Sequence, residues 1–418
     1  MVNRRPALGF ILVTLFLDIL GLGLIIPILP TLVQSFHGGD VSAAAHTVGL
    51  LGALYALMQF LFAPVLGSLS DQFGRRPVIL ASLFGAGVDY LVLAFAPTLA
   101  WFYVARAVLG ITNANISAAT AYIADISPPE QRAANFGLIG AAFGLGFVAG
   151  PALGGLVGNQ DLRLPFLVAA GLTLANWLYG WFVLPESLAP ANRRKFSWAR
   201  ANPLGALAAL RVRPVVFGLA VSLFLQNLAN FGLHTTWVLY TGYRYAWTPR
   251  QVGLSLAVVG IMAAIVQGGL ARRIIPALGE VWSLKAGLLL AAASFVGYGL
   301  ATEGWMIYVI LAIGSFAGIA GPASQGLVSR STPDNEQGAV QGALAGLNSV
   351  AGVVAPLMAG WLFGYFVRPD AVVVLPGAPF FLGTLFILAA LGVAWVTLKR
   401  HRSPDTRTAG ENNRVAER

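Results

Sequence analysis

The chain has no cysteine, which excludes a disulfide framework, a thiolate metal site and a cysteine nucleophile. Charge is scarce: Asp, Glu, Lys and Arg make up 10% of the 418 residues, against about 25% in an ordinary soluble protein. So few charges cannot cover a water-facing surface. The only lysines are Lys195, Lys285 and Lys399, and none follows a Gly-x-x-x-x-Gly phosphate loop, so an ATP-driven pump is not expected. The four histidines include no His-Glu-x-x-His pair and no plausible Ser/His/Asp set, so the chain does not read as an enzyme.

What is present is apolar. Hydrophobic residues are 57% of the chain and form runs long enough to cross a hydrocarbon layer of about 30 Å. Runs between charged or Pro/Gly-rich breaks predict spans near 8–33, 47–69, 78–96, 98–123, 135–157, 164–184, 215–240, 250–270, 283–301, 304–328, 338–366 and 378–398. Lipid offers the backbone no hydrogen-bond partner, and barrel alternation is absent, so the spans are expected to be helical. The expected fold class is an all-α integral membrane protein of twelve transmembrane helices in two six-helix bundles.

The net charge of +10 does not imply nucleic acid, because its placement follows the membrane. Of 26 Lys and Arg, 21 fall in the N-terminus, the even-to-odd loops or the tail, four (Arg163, Arg244, Arg250, Arg368) fall in the opposite loops, and Arg106 is within a span. The positive-inside rule puts both termini in the cytoplasm. Asn3-Arg4-Arg5 precedes an apolar run too long for a secretory signal and interrupted by Asp18, Pro27 and Pro30, so an uncleaved first helix is expected.

The longest hydrophilic interruption, 185–213, divides the chain into an N-terminal bundle, 1–184, and a C-terminal bundle, 214–400, with a polar tail at 401–418 expected to be disordered. An internal repeat supports the division. Ser127-Pro128-Pro129-Glu130 and Thr332-Pro333-Asp334-Asn335 precede spans five and eleven, and Pro151 and Pro356 follow Pro128 and Pro333 at the same distance. Repeat-built secondary transporters carry their site between the halves near mid-membrane.

Several constellations carry possible chemistry. Between spans two and three, Gly67 to Pro77 holds Asp71, Gly74, Arg75 and Arg76. Gly74 permits a left-handed turn, Asp71 can cap a helix or pair with an arginine, and the arginines hold the loop in the cytoplasm. The same residues also read as a plain charged turn. The second-half loop, Gly268 to Arg273, keeps basic residues and lacks the acid, so the Asp71 latch is not expected there. Span five spaces Gly137, Gly146, Gly150-Pro151 and Gly154-Gly155, a pattern that suits close helix packing and a kink.

In span four Arg106, Asn113, Ser117 and Thr120 share one face, although Arg106 could also snorkel. Asp18 and Asp89 are carboxylates within spans, each costing about 2.5–3.5 kcal/mol at a helix centre and so expected to have a partner or a role. Pairing with Arg106 is the structural alternative. Asn227, Asn230, His234 and Trp237 of span seven form a candidate cavity wall, with Gln59 and Gln325 as further polar candidates.

The run from Asp18 to Pro27, the span 2–3 loop, Val88-Asp89-Tyr90-Leu91, the run from Arg106 to Ala114 and the span-five glycines together resemble the tetracycline efflux antiporters of the major facilitator superfamily. The second half adds Glu303-Gly304-Trp305 and the run from Glu336 to Gly342. The resemblance implies a monomeric inner-membrane antiporter that admits a proton and expels a small amphiphilic drug, tetracycline with a divalent cation being typical, without a bound cofactor. It makes Asp18, Asp89 and Arg106 coupling residues, Gln59 a cavity residue, Asp71, Arg75 and Asp125 parts of a cytoplasmic gate, and the span-five glycines the antiporter motif. Two positions depart from the family, which carries an aspartate in span nine and a histidine in span eight where this chain has Ala291 and Ala263. An exporter or symporter of another metabolite, sugar or lipid on the same scaffold is the alternative.

Overall fold

The computed structural model describes residues 8–113, 116–196, 213–333 and 336–402. The basic N-terminus, residues 114–115, most of the inter-bundle segment, Asp334 and Asn335, and the tail beyond Arg402 lie outside them. Among the described residues, eleven helices are long and apolar enough to cross a membrane. Span four is represented by two shorter helices on either side of residues 114–115.

The first span is α1 (Leu8–Ile25) and α2 (Leu29–Phe36) rather than one helix. Pro27 and Pro30 remove backbone donors at the break. The second, α3 (Val41–Phe73), extends past both ends of its apolar run, because Asp40 accepts from the N–H groups of Ser42 (2.8 Å) and Ala43 (3.1 Å) and so caps its start. There follow α4 (Arg75–Phe95), α5 (Leu99–Thr112), α6 (Ile116–Ile126), α7 (Arg132–Gly158) and α8 (Leu164–Val183).

The second bundle opens with α9 (Pro214–Tyr245). Its next span joins α10 (Pro249–Ala263) through a π-helical segment, Ala264–Leu270, to α11 (Ala271–Leu278). Then come α12 (Glu280–Leu300), a span built from α13 (Gly304–Gly314), a 3-10 turn at Ser315–Ile319 and α14 (Ala320–Arg330), and finally α15 (Gln337–Val367) and α16 (Ala378–Arg402).

Two helix pairs form the main joins between the bundles, α3 with α15 and α7 with α10, and α9 adds lighter contacts with α2 and α3. Both seams rest on glycine. A Cβ on Gly49 would sit 2.5 Å from the Pro356 carbonyl oxygen, and one on Gly360 at 2.5 Å from that of Ala45. A Cβ on Gly155 would sit 2.5 Å from the Pro249 carbonyl oxygen, so neither seam admits a side chain at these points. All these contacts lie towards the end of the molecule that carries the α2–α3 connection. Towards the other end the bundles separate: among the described residues α4 and α6 are not packed closely against α11, α12 or α14, and Gly137, Gly268 and Gly338 have nothing within 4 Å of an added Cβ. The molecule is therefore closed at one end and open at the other.

Candidate functional site

Two cavities lie beneath the seams. The first, about 400 Å³, lies between the bundles; its wall includes Tyr55, Gln59 and Arg106 from the first bundle and His234, Trp237 and Asn348 from the second. The seam residues Gly52, Gly352 and Pro356 also line it, so the contact that closes one end is also its roof. The second, about 380 Å³, lies within the C-terminal bundle against Gln226, Asn227, Asn230, Gln267 and Ser294, with Ala263 and Ala291 in its wall. Leu233, His234, Val259 and Leu311 line both, so the two cavities are neighbours that share a wall.

Behind the first cavity stands a buried polar group. Asp18 of α1, Asp89 of α4 and Arg106 of α5 are 7%, 3% and 7% exposed, values at which an ion in a low-dielectric setting requires compensation. Tyr90 lies within electrostatic reach of Asp18, Asp89, Arg106 and Tyr55, so four helices of one bundle aim their polar side chains at one region. Asp89 and Arg106 interact electrostatically, yet Asp89 Oδ2 and Arg106 Nε and Nη2 have no hydrogen-bond partner among the described residues. Tyr90 Oη and Thr173 Oγ1 share that condition. Beside them Tyr55 Oη accepts from Gln59 Nε2 (3.4 Å) and Asn113 Nδ2 (3.3 Å), tying α3 to α5 at the cavity edge.

Trp237 lines the first cavity with its ring and donates Nε1–H to Ser255 Oγ (3.1 Å). Asn227 and Asn230 face the second cavity, and His234 faces both. Gln325 stands apart on α14, where its Oε1 accepts from Gln341 Nε2 at 3.4 Å, and it is not among the residues lining either cavity. Tyr55, Tyr90 and Thr173 were not singled out from sequence, because a tyrosine or threonine in an apolar span does not stand out as a charge does.

At the open end, Arg75 organises the α3–α4 turn. Its Nη1 donates to Asp71 Oδ1 (2.6 Å) and Ser70 Oγ (2.7 Å), and its Nε donates to Asp125 Oδ2 (3.2 Å). Ser187 Oγ donates to the same Asp125 oxygen at 3.1 Å. Gly74 takes φ +107°, and an added Cβ would collide with the Glu186 carboxylate. That carboxylate accepts from the backbone N–H groups of Arg75 (2.9 Å) and Arg76 (3.3 Å), capping α4 from a distant segment. Arg76 Nη2 donates to the Trp181 carbonyl oxygen (2.6 Å). Gly67 lies near Ser117, 3.6 Å from an added Cβ to the hydroxyl. Sequence reading missed Glu186 and Ser187; the available signal was an acid just beyond span six in an acid-poor chain.

The second bundle repeats this corner with the charges exchanged. A shift of 205 residues takes Gly74 to Gly279 (279 − 74), Arg75 to Glu280 (280 − 75) and Asp125 to Arg330 (330 − 125); Gly279 has φ +78°, and Arg330 Nη2 lies 3.2 Å from Glu280 Oε1. The turn lies at Gly279 rather than at Gly268-Gly269, because the helix runs on to Leu278. The position equivalent to Asp71 is Pro276 (276 − 71), so the acid of this corner is Glu280 in the place of Arg75 and Asp71 itself has no counterpart.

The span-five residues divide between two partners. Gly146, Gly150 and Gly154 press on α1, an added Cβ on Gly150 falling 2.7 Å from Gly23 Cα. Gly155 presses on α10, and Pro151 lies within the helix between the two faces. Gly137 touches neither. The packing reading of the motif is therefore realised, and it serves the inter-bundle seam as well as the bundle itself.

The Major Facilitator Superfamily profile matches residues 11–356 and 274–417. This chain belongs to the major facilitator superfamily. The class C tetracycline resistance protein of Escherichia coli is 43% identical over 356 residues, 85% of this chain and 89% of that one. The class B protein of Escherichia coli is 37% identical over 356 residues, 85% and 88% of the two chains. Among solved structures, the human organic anion transporter MFSD10 (TETRAN) superposes with a TM-score of 0.68 at 26% identity, covering 94% of this chain and all of that one. As a superfamily member the protein is a multi-pass membrane transporter for a small molecule, and the first cavity lies between the bundles, where repeat-built transporters carry their site.

Proposed function

We propose that this transporter is a proton-coupled drug exporter of a bacterial inner membrane, acting as a monomer with both termini cytoplasmic. The buried set Asp18, Asp89 and Arg106 beside the inter-bundle cavity carries the reading, because carboxylates placed in a membrane interior next to a substrate cavity are suited to exchange protons with it. The basic loops stand at the open end, so the conformation described is open to the cytoplasm, where substrate would enter.

In the proposed cycle substrate binds in the cavity while the carboxylates are deprotonated. The bundles rock, the seams part, and substrate leaves as a proton is taken from the far side. Re-closure of the seams returns the proton to the cytoplasm. One charge moved through 100 mV supplies about 2.3 kcal/mol, enough for a gradient of tens-fold. The Asp71–Arg75–Asp125 cluster is proposed as the gate latch, and the seam glycines as the surface on which the bundles move.

Asp89→Asn is expected to abolish drug-dependent proton release from everted vesicles while drug binding persists; full exchange in that variant would overturn the coupling assignment. A tetracycline-like drug is the first substrate to test, because the relatives are tetracycline resistance proteins. Ala263 and Ala291 in the wall of the second cavity favour a wider set of amphiphiles or another metabolite as the second reading. A susceptibility panel in an efflux-deficient host separates these.

A further inference from the structure

The first bundle buries more polar atoms than its own contacts satisfy. Tyr90 of α4 and Thr173 and Asn176 of α8 are 1%, 0% and 0% exposed. Tyr90 Oη, Thr173 Oγ1 and Asn176 Oδ1 have no hydrogen-bond partner among the described residues, in common with Asp89 Oδ2 and with Arg106 Nε and Nη2. A hydroxyl in an apolar helix can turn back on its own backbone, as Thr14, Thr235, Thr236 and Thr384 do on the carbonyl oxygen four residues before. Thr173 does not.

One face of α1 gathers these groups. A Cβ on Gly21 would stand 3.1 Å from Thr173 Oγ1 and 3.7 Å from the Tyr90 ring, so a residue without a side chain keeps the space between α1, α4 and α8. One turn away, Asn176 Nδ2 donates to the Thr14 carbonyl oxygen at 3.0 Å, the oxygen to which the backbone N–H of Asp18 points in an α-helix. Asn176 therefore stands level with Asp18, and Thr173 level with Gly21. Arg106 lines the first cavity, whereas Asp18, Asp89, Tyr90, Thr173 and Asn176 line neither.

The six atoms are complementary without being bonded to one another: Arg106 offers donors, Asp89 and Asn176 offer acceptors, and the two hydroxyls can do either. Hydrocarbon can serve none of them. Water donates twice and accepts twice, and buried water occupies sites of this kind, where several polar groups lack a protein partner. Four of the six atoms are oxygens, which would also suit a metal cation, but the Arg106 guanidinium among them opposes one.

We infer that Tyr90, Thr173 and Asn176 hold a buried cluster of water molecules against Asp89 and Arg106, outside the substrate cavity, and that the two α8 residues are thereby positioning residues for proton exchange. The second half of the inference rests on the export reading. A protonated Asp89 would pass its O–H proton to a water oxygen, and that water would release one of its own protons to the next oxygen. The carboxylate forms, the number of waters is unchanged, and the proton stays in the cluster until bulk water accepts it. Because these oxygens do not line the substrate cavity, the transfer does not require substrate to leave first.

The direct test is a density map of the full chain in lipid at about 2 Å, fine enough to show ordered water. Water peaks within about 3.2 Å of Asp89 Oδ2 and of Thr173 Oγ1 or Asn176 Oδ1 are expected. Side chains bonded to one another with no water between them, or a metal ion in their midst, would overturn the inference. The functional arm uses Thr173→Val, which keeps the shape and removes the hydroxyl, and Thr173→Ser, which keeps the hydroxyl. Thr173→Val is expected to slow drug-dependent proton release from everted vesicles about tenfold or more, while the Kd for tetracycline in nanodiscs stays within about threefold. Thr173→Ser is expected to release protons within about threefold of the unsubstituted protein. A threonine needed only for packing would instead lower binding, exchange and unfolding temperature together; that pattern, or undiminished exchange in Thr173→Val, would overturn the positioning role. The map stands even if a variant fails to fold. Ordered water with no drug-driven exchange in the unsubstituted protein would overturn the export reading and leave the water site, and drug-driven exchange with a dry cluster would do the reverse.

Discussion

Gly74 shows how much one residue without a side chain can be required to do. Its φ of +107° and the Glu186 carboxylate lying where a Cβ would stand are two separate obstacles to any substitution. Gly74→Ala is expected to cost about 1–3 kcal/mol and to lower the unfolding temperature in detergent, since it displaces the cap of α4 as well as straining the turn. Asp18, Asp89 and Arg106 could be found from sequence because a charge inside an apolar run is costly enough to be conspicuous. Tyr55, Tyr90 and Thr173 could not, because only the convergence of α1, α3, α4, α5 and α8 shows which ordinary polar side chains meet the charges. Glu186 belongs with them: its role depends on the segment after α8 folding back over the α3–α4 turn.

At the scale of elements, the exchanged ion pairs are a physical contrast inside one molecule. The Arg75 side chain is 10% exposed and Asp125 23%, whereas Arg330 is 78% exposed and Glu280 17%. Removing one member of a buried pair leaves an uncompensated charge and costs about 3 kcal/mol or more, while a solvent-exposed pair is worth about 0–1 kcal/mol. Arg75→Ala, which strips both Asp71 and Asp125 of their partner, is therefore expected to destabilise the protein more than Arg330→Ala, which removes a 78% exposed side chain, in denaturation measurements in lipid or detergent. Equal losses would show that the two corners are mechanically alike. Helix positions were legible because length and apolarity suffice to place a span, whereas the α1–α2 break within the single span expected at 8–33 was not drawn from the sequence, although Pro27 and Pro30 lack the donors there. The π-helical segment was not legible: Ala264–Leu270 contains no proline, and its Gly268-Gly269 pair was read as a loop.

For the molecule as a whole, the two-bundle plan followed from the repeat of turns and prolines, but the open and closed ends did not, since nothing in a repeat says which of two arrangements of its halves is occupied. The absence of cysteine makes that arrangement easy to probe. Single cysteines at Gly137 or Gly338, both free of neighbours, are expected to react with a membrane-impermeant maleimide in everted vesicles and to be protected when intact cells are labelled. The opposite pattern would reverse the topology. The α3–α15 seam has a consequence for force as well as access. Its contacts run from Ser42, whose hydroxyl donates to the Gly364 carbonyl oxygen at 2.9 Å, to Ala56 opposite Gly352. The 17 residues of α3 after Ala56 (73 − 56) form a shaft of about 25 Å at 1.5 Å per residue. If the seam is the fulcrum, a tilt of about 10° there carries the far tip about 4 Å. The Asp71–Arg75–Asp125 corner adjoins that tip, so its attractions act with a long moment arm and can decide which way the lever rests.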